Sequence, residues 1–287
     1  MIAIVGGLGA ALSWAIATLA SSRSSRMIGA PSVLAWVMIV GLVVSVIPAA
    51  IATPVDLRPE DAIELVLVGF AYTTGLLLAY IALTTGRVSL VAPVTATEGA
   101  VAALISVALG EPLGFATGLV LAIIATGVVL ASYERAEDER RASQPDEASN
   151  RRSVLLAMGA AAAFSIGLVA AGRLGEAHVP PAWPVFTARV IGTLAIAAPL
   201  VLLGRLRISR RAAPLVLLSG VLEALGSGLY VVAAGDGVAA AAVLSSQFAA
   251  IAAVGAYLLF GERLQRVQVL GVVLIAAGVT ILAAAQA

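Results

Sequence analysis

Residues 110–127 read GEPLGFATGLVLAIIATG, and residues 261–278 read GERLQRVQVLGVVLIAAG. Each stretch opens on Gly-Glu-x-Leu and closes on a glycine sixteen residues after the glutamate: Gly110, Glu111 and Gly127, then Gly261, Glu262 and Gly278. The offset of 151 also carries Gly69, Gly75 and Gly86 onto Gly220, Gly226 and Gly237 without a gap. Windows this rich in glycine would share about one such match by chance, and five at one offset mark an internal duplication. Upstream, Gly41 and Pro48 meet Gly192 and Pro199, while Gly9 and Trp14 meet Gly159 and Phe164 at an offset of 150.

Composition places both copies in a bilayer. Apolar residues make up 61% of the chain, charged ones 11%, and the mean hydropathy is +1.07. Soluble domains carry roughly a quarter charged residues. Here the charges separate apolar runs of about 20 residues, the length a helix needs to cross the hydrocarbon. The runs predict ten spans: 2–20, 31–53, 62–83, 88–109, 114–132, 154–172, 183–204, 213–234, 237–260 and 266–285. They lack the alternation of barrel strands, so helices satisfy their backbone polar groups. The fold class expected is an all-α membrane protein with two five-helix repeats, residues 2–132 and 154–285. The charged segment 133–153 joins them. Five crossings per repeat is an odd number, so the second copy enters from the opposite side and the repeats are inverted. Such repeats recur in secondary transporters, with the substrate site between them near the midplane. The first span is a retained helix: arginines 23 and 26 follow it, the wrong flank for a signal peptide.

The duplicated turns, Trp14 in the first span, and Pro180-Pro181 followed by Arg189 give the chain its resemblance to a family. It resembles the EamA-type members of the drug/metabolite transporter superfamily over nearly its whole length. The resemblance implies a ten-helix carrier of small metabolites, amino acids or drug-like compounds, acting by efflux or exchange through alternating access. The family pattern often has an arginine in the second span, where this chain has Met38 or Ile39. Members commonly keep both termini in the cytoplasm.

Several chemistries are excluded. There is no cysteine, hence no disulfide or thiolate. Lysine is absent, so a P-loop cannot be completed. The single histidine, His178, falls in a short loop. No nucleophile–base constellation, cofactor motif or metal-ligand spacing is found, so neither an enzyme nor a cofactor is expected. A net charge of +1 carries no nucleic-acid signal.

The functional candidates are polar residues at mid-span. Tyr72, Glu98, Glu223 and Gln247 lie within about a residue of predicted helix midpoints, and Arg189 lies a third of the way along the seventh span. A charge there costs about 2.5–3.5 kcal/mol on insertion scales, and such residues usually face a bundle interior or a wet cavity. Tyr72 and Glu223 are repeat mates, and Glu98 aligns with Ala249, two residues from Gln247. Pro93 should kink the fourth span beside Glu98, and Thr95 and Thr97 give that site a polar surrounding. The two carboxylates can exchange protons against a small-molecule substrate, and Arg189 can bind a substrate carboxylate or pair with a glutamate. An internal ion pair that only fixes helix packing is the structural alternative. Trp14, Phe164 and Tyr230 are candidate cavity walls. Glu111 and Glu262 read as caps of the fifth and tenth helices. Pairs such as Gly114 with Gly118, or Gly159 with Ala163, suit close helix approach.

The leading reading is a multi-pass cell-membrane transporter whose partners are the lipid bilayer, a small-molecule substrate and protons. An uncoupled facilitator and a non-transporting scaffold are the alternatives, and the residues leave monomer and homodimer both open. Arginines 23, 26, 87, 135, 140, 141, 151, 152, 205, 207, 210, 211, 263 and 266 follow odd-numbered spans, whereas only Arg58 and Arg173 follow even ones. The positive-inside rule places the 133–152 linker in the cytoplasm and both termini outside, against the family habit.

Overall fold

The computed structural model describes residues 2–52, 58–86, 88–111, 113–131, 147–260 and 266–285. Among them every regular element is a helix. The first half holds α1 (Ile2–Ile28), α2 (Ala30–Ile51), α3 (Pro59–Thr85), α4 (Val88–Ala108) and α5 (Phe115–Ala131). The second holds α6 (Glu147–Glu176), α7 (Ala182–Leu202), α8 (Ala213–Ala234), α9 (Val238–Ser245), α10 (Phe248–Phe260) and α11 (Arg266–Ala285). Helices α1, α2, α3, α6, α7 and α8 are long and apolar enough to cross a membrane, and shorter apolar helices accompany them.

Local sequence explains the boundaries. Gly29, at φ 87°, is the whole connection between α1 and α2, a conformation that a side chain would strain. Asp61 accepts the Arg58 backbone N–H at 2.9 Å, so it occupies a free donor at the start of α3. In α7 the turn Thr193–Ala197 is π-helical and directly precedes Pro199, which has no N–H to continue the ordinary ladder.

Three elements differ from the sequence reading. Helix α1 runs on through arginines 23 and 26, both on its exposed side, because serines 21, 22, 24 and 25 pack inward. Helix α6 already begins at Glu147, so residues 147–153 of the expected linker are helical; positions 132–146 lie outside the described residues. The expected span 237–260 is broken at Ser246 and Gln247 into α9 and α10.

Packing repeats with the halves exchanged. Helix α1 packs on α8 and α3 on α6; α2 packs on α8 and α7 on α3; α5 packs on α11. The same exchange holds for single contacts. Gly69 lies against Ile191, and Gly220 lies against Val40, the repeat mate of Ile191. A Cβ on Gly75 would stand 2.6 Å from the Phe164 ring, and one on Gly226 would stand 2.6 Å from Nε1 of Trp14, the mate of Phe164. Gly41 abuts Arg189, and Gly192 abuts Met38, the mate of Arg189. These glycines let side chains of the facing helix sit directly on a backbone. Gly159 faces Leu78 across such an interface, whereas among the described residues Gly114 and Gly118 meet neighbours in their own turn and helix.

Cross-contacts sort the helix ends. The Arg26 guanidinium donates to Gly86 O at 3.1 Å, and the Arg207 amide donates to Ser32 Oγ at 3.2 Å, which gathers the arginine-bearing turns at one end. At the other end Ala3 N donates to Asp236 at 3.3 Å and Arg173 pairs with Glu64 at 2.8 Å.

Candidate functional site

Three of the mid-helix positions expected from sequence, Tyr72, Glu98 and Glu223, converge on one cavity of about 80 Å³. Trp14, Tyr72 and Glu98 from the first half line it together with Phe164, Glu223 and Tyr230 from the second. Tyr72, Glu98 and Glu223 stand at the middle of α3, α4 and α8, so equal depth on three packed helices brings them to one level. The rest of the wall is mostly apolar, as in pockets where a few polar groups set orientation.

Glu223 and Tyr72, repeat mates 151 residues apart, touch: the Tyr72 hydroxyl donates to the Glu223 carboxylate. Ser227, one turn beyond Glu223, donates to the Glu223 carbonyl at 2.7 Å and lies 3.3 Å from the Tyr72 hydroxyl. Arg189 is fully buried behind this pair. Its guanidinium donates to the Tyr72 and Ser227 hydroxyls, each at 3.3 Å, and sits 4.7 Å over the Tyr72 ring. It also points Nη1 at Met38 Sδ, 3.7 Å away. Arg189 therefore reaches Glu223 through the Tyr72 hydroxyl, and it is not among the residues that line the cavity. Both hydroxyl contacts come from Nη2, Nε is without a partner, and the stacking over the ring uses the planar guanidinium that distinguishes arginine from lysine.

Glu98 is different. Only 4% of it is exposed, it lines the cavity, and its Oε2 has no hydrogen-bond partner. Thr95 and Thr97 bond the carbonyls of Val91 and Val94 on their own helix, so they leave the carboxylate alone. Ser165 donates to the Glu98 backbone carbonyl at 3.0 Å, which fixes α4 against α6. Pro93 falls within α4, five residues before Glu98. The buried Trp14 Nε1, which lies against Gly226, also lacks an acceptor, while its ring lies 6.2 Å from that of Tyr230. The Tyr230 hydroxyl is satisfied by Leu168 O at 2.7 Å.

Gln247 sits at the α9–α10 break. It is 3% exposed, its Nε2 is unpartnered, and it is not among the residues that line the cavity. The sequence reading placed it at mid-helix. The break instead leaves Gln247 N only a 3.4 Å bond to Leu244 O, while its own carbonyl starts α10.

The first copy of the duplicated turn works across the molecule. Glu111 was expected to cap the helix that follows it. Both of its oxygens instead accept the Ala239 N–H, at 3.1 and 3.0 Å, and so cap α9 of the other half. Burial holds the Glu111 carboxyl above its usual range, opposed by that N–H, which favours the charged form. Gly110 turns the chain at φ 103°. The distant glycine of the motif serves packing: a Cβ on Gly278 would meet Ile124 at 2.5 Å, where α11 crosses α5, and Gly127 is buried on α5. Gly261 and Glu262 lie outside the described residues.

Sequence reasoning missed Ser227 and the role of Met38. Ser227 carried a legible signal, a hydroxyl four residues after a mid-span glutamate and thus on its face. Met38 carried none.

The comparisons agree with this architecture. The family model described as EamA-like transporter family matches residues 1–133 and again 151–284. No curated protein matches the chain. A solved structure described as "Crystal structure of protein" is 21% identical over 97% of this chain and 95% of its own, with a TM-score of 0.70, and shares the fold. With a family match in each half and a bundle of apolar helices around a cavity that holds two carboxylates, the chain belongs to the EamA-like transporter family, part of the drug/metabolite transporter superfamily.

Proposed function

We propose that this chain is a secondary transporter of small metabolites that works by alternating access and is driven by proton exchange at its buried carboxylates. One observation carries the reading: Glu98 and Glu223 stand at mid-helix depth in a cavity walled by both halves. Two charges at that depth are costly to insert, and a scaffold has no use for them. The cavity, at about 80 Å³, is walled by both halves, and their relative motion in alternating access would enlarge it for a substrate.

The exchanged contacts support two inverted five-helix repeats and ten crossings, with α9 and α10 forming one broken span. Unwound backbone at mid-membrane is tolerated where it is buried in protein, and Ser246 and Gln247 are both buried. The arginine bias supports a cytoplasmic linker and external termini.

Uncoupled facilitated diffusion is the second reading, and the unpaired Glu98 carboxylate argues against it. Flux of a metabolite panel into liposomes, with and without a pH gradient, separates the two. Gradient-driven accumulation supports exchange, equal downhill flux at every gradient supports the facilitator, and absence of any flux removes both.

A further inference from the structure

The cavity is electrostatically one-sided. Glu98 and Glu223 both line it, while Arg189, the cation of the site, is not among its lining residues. The Arg189 guanidinium is engaged through Nη1 and Nη2 by Met38, Tyr72 and Ser227, only its Nε lacks a partner, and no part of Arg189 is exposed. Glu223 is served by the Tyr72 hydroxyl, whereas Glu98 Oε2 is buried without a hydrogen-bond partner. Around them stand the rings of Trp14, Tyr72, Phe164 and Tyr230. Aromatic faces attract cations through their quadrupole, and more strongly once both are desolvated. An anion entering this space would meet two carboxylates and, among the described lining residues, no cation.

We infer that the transported species is an organic cation whose ammonium group pairs with Glu98, an inference that rests on the transporter reading above. The ammonium supplies the missing charged donor to Glu98 Oε2, and its hydrocarbon lies against the rings. Among the described lining residues no cation awaits a substrate carboxylate, and a carboxylate buried without compensation is costly, so zwitterions are disfavoured. Selectivity here is largely repulsive, because the unmatched carboxylates reject anions. Binding also accounts for exchange: Glu98 can hold either a proton or an ammonium, so one proton leaves as one cation binds.

Four probes of similar shape test this: phenylethylammonium, phenylethanol, phenylpropionate and phenylalanine. Binding to purified full-length protein is measured by titration calorimetry in two buffers of different ionisation enthalpy, and flux is measured in liposomes. Phenylethylammonium is expected to bind at least tenfold more tightly than the other three and to release about one proton. Glu98→Gln should lose that tenfold preference, while Glu98→Asp, which keeps the charge, should retain it and shows that the site still folds. Tighter binding of the anion or the zwitterion, or a preference that survives Glu98→Gln, overturns the inference. Flux of the neutral, anionic or zwitterionic probe without the ammonium overturns it and leaves the transporter reading standing. No flux of any probe or of the metabolite panel overturns both.

Discussion

Placing alanine at Gly226 and, separately, at Gly75 perturbs one packing solution in its two copies. At Gly226 the new Cβ would stand 2.6 Å from Trp14 Nε1 and 2.8 Å from Cδ1. At Gly75 it would stand 2.6 Å from both Cδ1 and Cε1 of Phe164. Ordinary contact begins at 3.4 Å, so each ring must retreat by about 0.8 Å. Overpacking of this kind costs about 1–3 kcal/mol, and alanine's helical preference offsets up to about 1 kcal/mol. A net loss of about 1–2 kcal/mol is expected for each variant. Both rings line the cavity, so each variant should also raise KM for a bulky substrate more than for a small one. Thermal unfolding in one detergent, with Trp14→Leu and Phe164→Leu as partners, completes the test. Gly226→Ala should couple to Trp14→Leu by about 1 kcal/mol or more, and Gly75→Ala to Phe164→Leu likewise. The crossed pairs, which share no such contact, should add to within about 0.5 kcal/mol. Neutral single variants, or coupling as strong in the crossed pairs, would refute the mirrored packing.

Three other outcomes are expected. The Glu111 carboxyl lies above its ordinary range in the folded chain, so the native state binds its proton more tightly than the unfolded state; the stability it contributes is full below about pH 4.3 and is lost as pH rises through the folded value. The melting temperature of wild type should therefore fall relative to Glu111→Gln as pH is raised from about 4 towards 7, and parallel curves would show that Glu111 titrates normally. Arg189→Met, which installs the residue of its repeat mate, should lower stability by about 1–2 kcal/mol through lost buried hydrogen bonds and reduce kcat; KM should stay within about threefold because Arg189 supports Tyr72 from behind, and a tenfold rise would make it a substrate anchor. A C-terminal reporter should be active on the external side of the membrane, and a cytoplasmic signal would show that the arginine bias misassigns the orientation.

Much of this was legible because a bilayer leaves few options. Apolar runs of fixed length become helices, and a charge at mid-run turns inward; Glu98, Glu223 and Tyr72 were placed by depth alone, and they share the cavity. Depth says nothing about angle. It could not show that Arg189 sits behind Tyr72 instead of facing the cavity, since that depends on the space left above Gly41. Nor could it show that Glu111 reaches Ala239, 128 residues away, because a helix-cap signature specifies the acceptor and not which free N–H will meet it. The α9–α10 break was hidden for a third reason. Neither proline nor glycine marks Ser246 and Gln247, and the close approach of Gly99 to Ala242 O and Ser246 accompanies the interruption. The start of α6 at Glu147 was obscured by charge, which reads as linker even where it decorates a helix end.

The most direct measurement concerns coupling. Purified protein in liposomes, given a substrate found by a thermal-shift panel, is subjected to an imposed pH gradient without a substrate gradient. Wild type should accumulate substrate uphill as protons run down, and Glu98→Gln, inserted to the same level, should equilibrate substrate without accumulating it. Accumulation that is absent in wild type, or that survives in Glu98→Gln, would contradict a carrier that exchanges protons at its buried carboxylate.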